Sequence, residues 1–317
     1  MRGLARQTTL PTFLFAGRKG ISMTLHKMAA VVACLVAFLP AAAEAGDVPM
    51  LNCSGFPCVR VRVGYAQPIR LAIDSGDAQS VLSIDTAKAL GLVIEPAKDK
   101  SGNPIAGTFV AEAKDVHIGD EPLGDIKFLV LDLSNDIAKG VFPRSDGSLA
   151  YTALKDKLLT LDYRGRTVSV ADASSDPPCP GNCGTVTYPT FGHRGPPIIV
   201  TTGFRLNGKD VSVQIDTLYS GTMLIYPTSV EKLGLSAEAG SAQVDHFPFT
   251  DGGVDMVRGQ AADESFGTNV LLTRAPLYFA TPKVHLPDGM FDGTVGEGLF
   301  AGHVLKFDFH ANRFTME

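Results

Sequence analysis

The stretch "VSVQIDTLYSGTMLIYP" (Val211–Pro227) decides how the chain is read. Val211, Val213 and Ile215 alternate with Ser212 and Gln214, and period-two alternation marks a strand with one buried face. The strand delivers Asp216-Thr217 to a turn, and the apolar run Met223–Tyr226 leaves it. An acidic residue and a hydroxyl therefore stand together at a strand–turn–strand junction. The unit has an earlier copy, "GYAQPIRLAIDSGDAQSVLSIDTAKALGL" (Gly64–Leu92), which aligns with "LNGKDVSVQIDTLYSGTMLIYPTSVEKLGL" (Leu206–Leu235). Each runs through a hairpin turn, an alternating strand, Ile-Asp-Ser/Thr, a second apolar run, a short helix and Leu-Gly-Leu. One extra residue enters the second copy in the turn after the aspartate.

A second pair of blocks follows in the same order. "DGSLAYTALKDKLLTLDYRGRTVSV" (Asp146–Val170) matches "DGTVGEGLFAGHVLKFDFHANRFTM" (Asp292–Met316). Asp146 and Asp162 have the same separation as Asp292 and Asp308. Ordered recurrence of two landmarks implies an internal duplication. We place lobe one at 59–171 and lobe two at 198–317. A Pro/Gly/Ser/Cys-rich linker (172–197) joins them, and a cysteine-containing segment (46–58) precedes lobe one. Short β-branched runs such as "VRVRVG", "IRLAI", "SVLSI", "TFVAEAKDVHIG", "IKFLVLDL", "LLTLDY" and "TVSVA" predict strands. "IDTAKALGL" and "TSVEKLGL" predict short helices stopped by glycine.

"AIDSG" (Ala72–Gly76) and its partner "QIDTL" (Gln214–Leu218), each set between apolar runs, resemble the aspartic proteases of the pepsin and retropepsin clan. The resemblance covers nearly all of the chain after residue 45. "DGSLAYTALKDKLLTLDYRGRTVSV" is similar to the C-terminal block of bacterial retropepsin-like proteins. The resemblance implies an all-β, bilobal fold of two homologous β-barrel lobes with a cleft between them. It implies a catalytic pair, Asp74 and Asp216, sharing one proton because two close carboxylates cannot both ionise. Ser75 and Thr217 would brace the loops, and Gly76 would let the backbone turn close behind the carboxylate. "SGNPIAGTF" (Ser101–Phe109), with Gly102 and Gly107, would supply a substrate-covering hairpin; an ordinary surface hairpin is the alternative. The substrate would be an extended peptide or protein, and the protein a monomer. No cofactor or metal is needed, and none is expected.

Three positions depart from the clan's pattern. Leu218 stands where a glycine follows the threonine, and its Cβ would not fit a left-handed backbone. Gly221 would then take the sharp turn. Asp77 follows Gly76 directly and would add a third negative charge near the pair. Ala150 replaces the glycine that lobe two keeps as Gly296.

The remaining features bound the setting. The chain has 317 residues, 45% hydrophobic and 19% charged, with a formal net charge of -5 and no basic block, which argues against nucleic acid as a partner. "MTLHK" followed by "MAAVVACLVAFLPAAA" and Ala43-Glu44-Ala45 reads as an export signal with cleavage before Gly46, so residues 1–45 are leader and signal peptide. No other membrane segment is expected. Export to a periplasmic or extracellular space makes Cys53, Cys58, Cys179 and Cys183 read as two disulfides, with the local pairs Cys53–Cys58 and Cys179–Cys183 favoured among three connectivities. The histidines after residue 45 are scattered, and "GTVGEG" (Gly293–Gly298) follows no βαβ unit, so neither a metal site nor a phosphate loop is read there. Two rivals to a working peptidase remain. One is a catalytically silent pepsin-fold binding or inhibitor protein of the cell envelope, and the other is a dimer that pairs two first lobes.

Overall fold

The computed structural model describes residues 46–134, 144–173, 182–190, 196–235, 244–247, 254–258, 262–275, 277–280 and 290–317. The expected signal peptide, Cys179, His193 and His285 lie outside them. Among the described residues no helix is long and apolar enough to cross a membrane.

The first lobe is built from β2 (Leu51–Cys53), β3 (Phe56–Val63), β4 (Ile69–Asp74), β5 (Val81–Ser83), β6 (Ile94–Lys98), β7 (Pro104–Ile118), β8 (Glu121–Leu131) and β9 (Gly147–Ala150). Its sheet order is β2-β3-β4-β9-β5-β8-β7-β6, and β3 also pairs with β7, which closes a barrel. The second lobe contains β13 (Val200–Leu206), β14 (Lys209–Ile215), β15 (Met223–Ile225), β16 (Val244–Phe247), β17 (Val254–Arg258), β18 (Ala262–Phe266), β19 (Asn269–Ala275), β20 (Leu277–Ala280) and β21 (Gly293–Val295).

The duplication is visible in the ladders. β4 runs parallel to β9 with Asp74 beside Ala150, and β14 runs parallel to β21 with Ile215 beside Val295. β5 pairs antiparallel with β9, as β15 does with β21. β5 pairs parallel with β8, as β15 does with β20. Burial along β14 follows its sequence, with Val211, Val213 and Ile215 inside and Ser212 and Gln214 half-buried. Helix α1 (Ile84–Ala89) is capped by Ser83, whose Oγ accepts from Thr86 N at 3.0 Å. It ends one residue before the expected glycine stop, at Leu90, and Gly91 follows in the left-handed region at φ 68°. Helix α2 (Pro227–Leu233) ends at Gly234, φ 71°. Both glycines close the same turn: Leu92 N donates to Ala87 O, and Leu235 N to Val230 O.

A third sheet joins the lobes. β10 (Lys157–Asp162) and β11 (Thr167–Asp172) meet β22 (Val304–Asp308) and β23 (Arg313–Met316), and β10 pairs antiparallel with β22. β1 (Val48–Pro49) extends this sheet beside β11. β12 (Cys183–Thr187), within the segment expected as linker, pairs with both β23 and β13 and carries the sheet into the second lobe. The repeated Asp146 and Asp292 blocks therefore end in strands that pair with each other. Phe204, Phe266, Phe307 and Phe314 pack where the second lobe meets this sheet, with Phe204–Phe266 centroids 4.7 Å apart. One hydrophobic core runs through both lobes.

Candidate active site

Strand β4 ends at Asp74 and strand β14 at Ile215, so each delivers its aspartate to the head of a loop. The two loops face one another through a reciprocal brace. Ser75 N donates to Thr217 Oγ1 at 3.0 Å, and Thr217 N donates to Ser75 Oγ at 3.2 Å. Each hydroxyl then donates across to the strand under the other loop: Ser75 Oγ to Ile215 O at 2.8 Å, and Thr217 Oγ1 to Ile73 O at 2.6 Å. Ser75 and Thr217 are buried, so these four bonds satisfy groups that water does not reach.

The brace brings the aspartates to a shared neighbour. Asp74 Oδ1 accepts from Gly76 N and Asp77 N, both at 3.1 Å. A Cβ on Gly76 would stand 2.4 Å from Cγ of Asp216 and 2.6 and 2.8 Å from its carboxylate oxygens. The backbone of the first loop thus lies against the second carboxyl, and glycine is required for space. Its φ lies outside the left-handed region. Leu218 N donates to Asp216 Oδ1 at 2.8 Å, which keeps the donor that Gly76 provides in the first loop.

Electrostatics follow from burial. Desolvation holds Asp74 well above the usual carboxylate range, and the charges of Asp216 and Asp77 add to the rise, against the Gly76 and Asp77 amides. Desolvation also raises Asp216 to about 6; the Leu218 amide opposes this, Asp77 adds to it, and the Tyr219 amide opposes it. Both carboxyls therefore favour their neutral form above the usual aspartate range.

The departures acquire physical reasons. Leu218 has no positive φ, contrary to the strain expected there. Its side chain packs against the cluster Cys53, Cys58 and Ala72, so a leucine covers a disulfide where a glycine would leave a gap. The Cys53–Cys58 disulfide is formed as expected. Cys183 is also disulfide-bonded, while Cys179 lies outside the described residues. Gly221 does not take a left-handed turn either; a Cβ there would meet the Tyr219 hydroxyl at 2.2 Å. The Tyr219 backbone also explains Gly296, where a Cβ would stand 2.0 Å from Tyr219 O. In lobe one Ala150 is fully buried without that neighbour, and its N–H donates to Ser80 Oγ at 3.0 Å.

Gly102 lies in the turn between β6 and β7, and Gly107 lies within β7, with φ 85° and 70°. A hairpin forms there, and a Cβ at either glycine would meet nothing within 4 Å. Sequence reasoning missed Gln214, whose Nε2 reaches across the lobes to Gly76 O at 2.8 Å. Thr294 Oγ1 donates to Gln214 Oε1 at 3.3 Å, and Thr294 shares a 2.6 Å hydrogen bond with Tyr226. A polar residue immediately before Ile-Asp, where the first copy has Ala72, was the available signal. Glu297, at the start of helix α3 (Glu297–Phe300), was also missed. Its Oε1 accepts from Tyr163 OH at 2.5 Å, and burial raises its carboxyl to about 8, with the charge of Asp216 adding to the rise. No cluster of histidine, cysteine and carboxylate residues suited to a metal occurs among the described residues.

No family model and no curated protein matches the chain. Among solved structures it is similar to an aspartic proteinase from Irpex lacteus, at a TM-score of 0.50 and 14% sequence identity, over 86% of this chain and 96% of that one. The pepsin-like, bilobal all-β architecture is thereby established as the fold.

Proposed function

We propose that the protein is an exported aspartic endopeptidase, of the two-lobe kind that bacterial retropepsin-like sequences suggest, acting on an extended peptide with Asp74 and Asp216 as the catalytic pair. The observation that carries the reading is the reciprocal Ser75–Thr217 brace, beside which the Gly76 backbone lies against the Asp216 carboxyl; in this reading Asp74 and Asp216 share one proton. The ionised carboxylate takes a proton from a water, and the water oxygen bonds to the scissile carbonyl carbon. The protonated carboxyl donates to the carbonyl oxygen as the tetrahedral diol forms. The carboxyl that took the water's proton then gives it to the amide nitrogen. The other carboxylate takes a proton from a diol hydroxyl as the carbonyl re-forms and the C–N bond breaks, and the pair again holds one proton. In this scheme the substrate lies extended in the cleft between the lobes and adds strand-like hydrogen bonds.

Leu218 keeps its amide donor and takes no strained φ, which removes the main argument for a silent site. The test is digestion of an unfolded protein mixture by the purified chain from acid to neutral pH, with product masses read out. Asp74→Asn and Asp216→Asn should each lower cleavage by at least about a thousandfold. Activity that survives in either variant sinks the paired mechanism. A folded wild type that cleaves nothing at any pH favours the silent binding protein.

A further inference from the structure

The outer end of β4, away from Asp74, opens into a pocket of about 510 Å³ lined by Arg60, Pro68, Arg70, Arg144 and Asp146. Arg60 and Arg70 stand directly opposite each other on the β3–β4 ladder. Like charges in that relation destabilise a sheet, so fold stability does not account for the pair. Arg70 Nη1 donates to Arg144 O at 3.2 Å, which fixes the guanidinium at the pocket wall. The side chains of Arg60 and Arg144 have no hydrogen-bond or ion-pair partner among the described residues. Asp146 is already engaged, its Oδ2 by Arg70 N at 2.7 Å and its Oδ1 by the Thr86 hydroxyl at 3.2 Å. Three arginines and one carboxylate therefore leave a cationic site on a chain whose net charge is -5.

The duplication supplies an internal control. Asp146 N donates to Arg70 O and Asp292 N to Ser212 O, each at 2.7 Å, so Arg70 and Ser212 are equivalent. The second lobe has the corresponding pocket, of about 450 Å³, lined by Thr202, Gly203, Asp210, Ser212, Lys232 and Asp292. There the cation is neutralised, with Lys232 Nζ 2.8 Å from Asp292, and Asp210 pairs with Arg205 at 2.8 Å. The architecture needs no arginine at this position, and only lobe one carries them. A second pocket of about 270 Å³ adjoins the first, shares Arg60 and Pro68 with it, and adds the apolar surface of Val48, Pro49 and Leu51.

We propose that this composite pocket binds an anionic amphiphile, a phosphate-bearing headgroup among Arg60, Arg70 and Arg144 with its apolar part against Val48, Pro49 and Pro68. Guanidinium forks match phosphate oxygens bidentately, and the bonds are charge-assisted. Arg70 lies four residues from Asp74, roughly 13 Å along an extended strand, so the ligand sits apart from the carboxyl pair.

Calorimetric titration of the full chain with dihexanoyl phosphatidate and with inorganic phosphate, at one fixed ionic strength, tests this. The phosphatidate should bind at least about tenfold tighter than phosphate. Arg60→Ser/Arg70→Ser, which gives position 70 the residue its equivalent Ser212 has, should weaken it by at least about tenfold with no fall in melting temperature. Arg144→Asn, which tolerates the left-handed φ of 61° there, gives the same readout without touching the ladder. Vesicles of phosphatidylglycerol that retain the wild type more than the double variant, with phosphatidylcholine retaining both equally, assign the headgroup to a membrane. Equal retention, with phosphatidate binding still arginine-dependent, assigns it to a free ligand. Affinity unchanged in both variants, or phosphate bound as tightly as phosphatidate, overturns the proposal.

Discussion

Gly76 and Leu218 occupy equivalent positions in the two aspartyl loops, yet only one accepts a side chain, because each faces a different neighbour. A Cβ on Gly76 would overlap the Asp216 carboxyl, whereas the Leu218 side chain turns to Cys53, Cys58 and Ala72. The aspartates and their braces were legible in the sequence, since an aspartate followed by a hydroxyl recurs at the same place in both copies. The environment of Leu218 was not, because its partners lie far upstream and meet it only across the lobes. Asp77 is the residue whose consequence for the proposed reaction is most direct. It is exposed, its amide holds Asp74, and its charge raises both aspartates. Asp77→Asn keeps an oxygen for Gln79 N, which donates to Asp77 Oδ1 at 3.0 Å, and removes the charge. The pair should then surrender its shared proton at lower pH. The alkaline limb of the cleavage profile should move roughly half a pH unit towards acid. A limb that stays in place, measured in kcat/KM, removes Asp77 from the electrostatics of the pair.

At the scale of elements, the β2–β3 hairpin with its disulfide acts as a support for a loop of the other lobe. The chain pairs Leu51 with Cys58 and Cys53 with Phe56, so the sulfur bridge spans a tight turn. The local pairing was legible from "CSGFPC", a short proline- and glycine-containing loop between cysteines. What it supports was not legible, because a disulfide's neighbours are set by the fold and not by spacing. Leu218 is half-buried, so Leu218→Ala should lower stability by about 1–2 kcal/mol, less than a fully buried leucine. Cys53→Ser/Cys58→Ser releases a six-residue loop and should lower stability by about 2 kcal/mol. Because these groups sit against the loop that holds Asp216, both changes should reduce kcat more than they raise KM. Denaturant titration and steady-state kinetics on one set of variants check both statements. Loss of stability with kcat unchanged would make the contact a packing feature alone. The interlobe sheet marks the limit of what the repeats could show. Their alignment shows that Leu158–Asp162 and Val304–Asp308 are equivalent strands. Their mutual pairing needs knowledge of which edge each presents.

Across the whole molecule, contacts between lobes cross in pairs. Tyr163 of lobe one meets Glu297 of lobe two, and Tyr151, the repeat partner of Glu297, stacks on Phe309, the repeat partner of Tyr163, at 6.1 Å. The duplicated positions kept their places and changed their chemistry, so one contact is polar and the other aromatic. Buried carboxyls accumulate on this frame. Desolvation raises Asp74 well above its usual value, Asp216 to about 6, and Glu264 and Glu297 to about 8. Glu264 on β18 is fully buried, and neither carboxyl oxygen has a hydrogen-bond partner among the described residues. A carboxyl whose pKa is higher folded than unfolded favours the fold below its unfolded value, and that advantage disappears as pH rises through the folded value. Asp292 works in the opposite sense, held down by Lys232 and the Ser212 and Ser229 hydrogen bonds despite its burial, so it loses its contribution only as pH falls below the usual aspartate range. The window between about pH 4.5 and 8 therefore belongs to the raised groups, and the melting temperature should be highest near pH 5 and fall steadily towards pH 9. Glu264→Gln replaces the carboxyl by a neutral group of similar shape. It should match wild type at pH 5 and exceed it at pH 9, because a buried, unpaired carboxylate destabilises a fold by several kcal/mol. Thermal unfolding at pH 5, 7 and 9 decides the matter. A wild-type curve that rises across this range, or a Glu264→Gln variant no more stable than wild type at pH 9, would mean that these carboxyls find solvent or partners when they ionise.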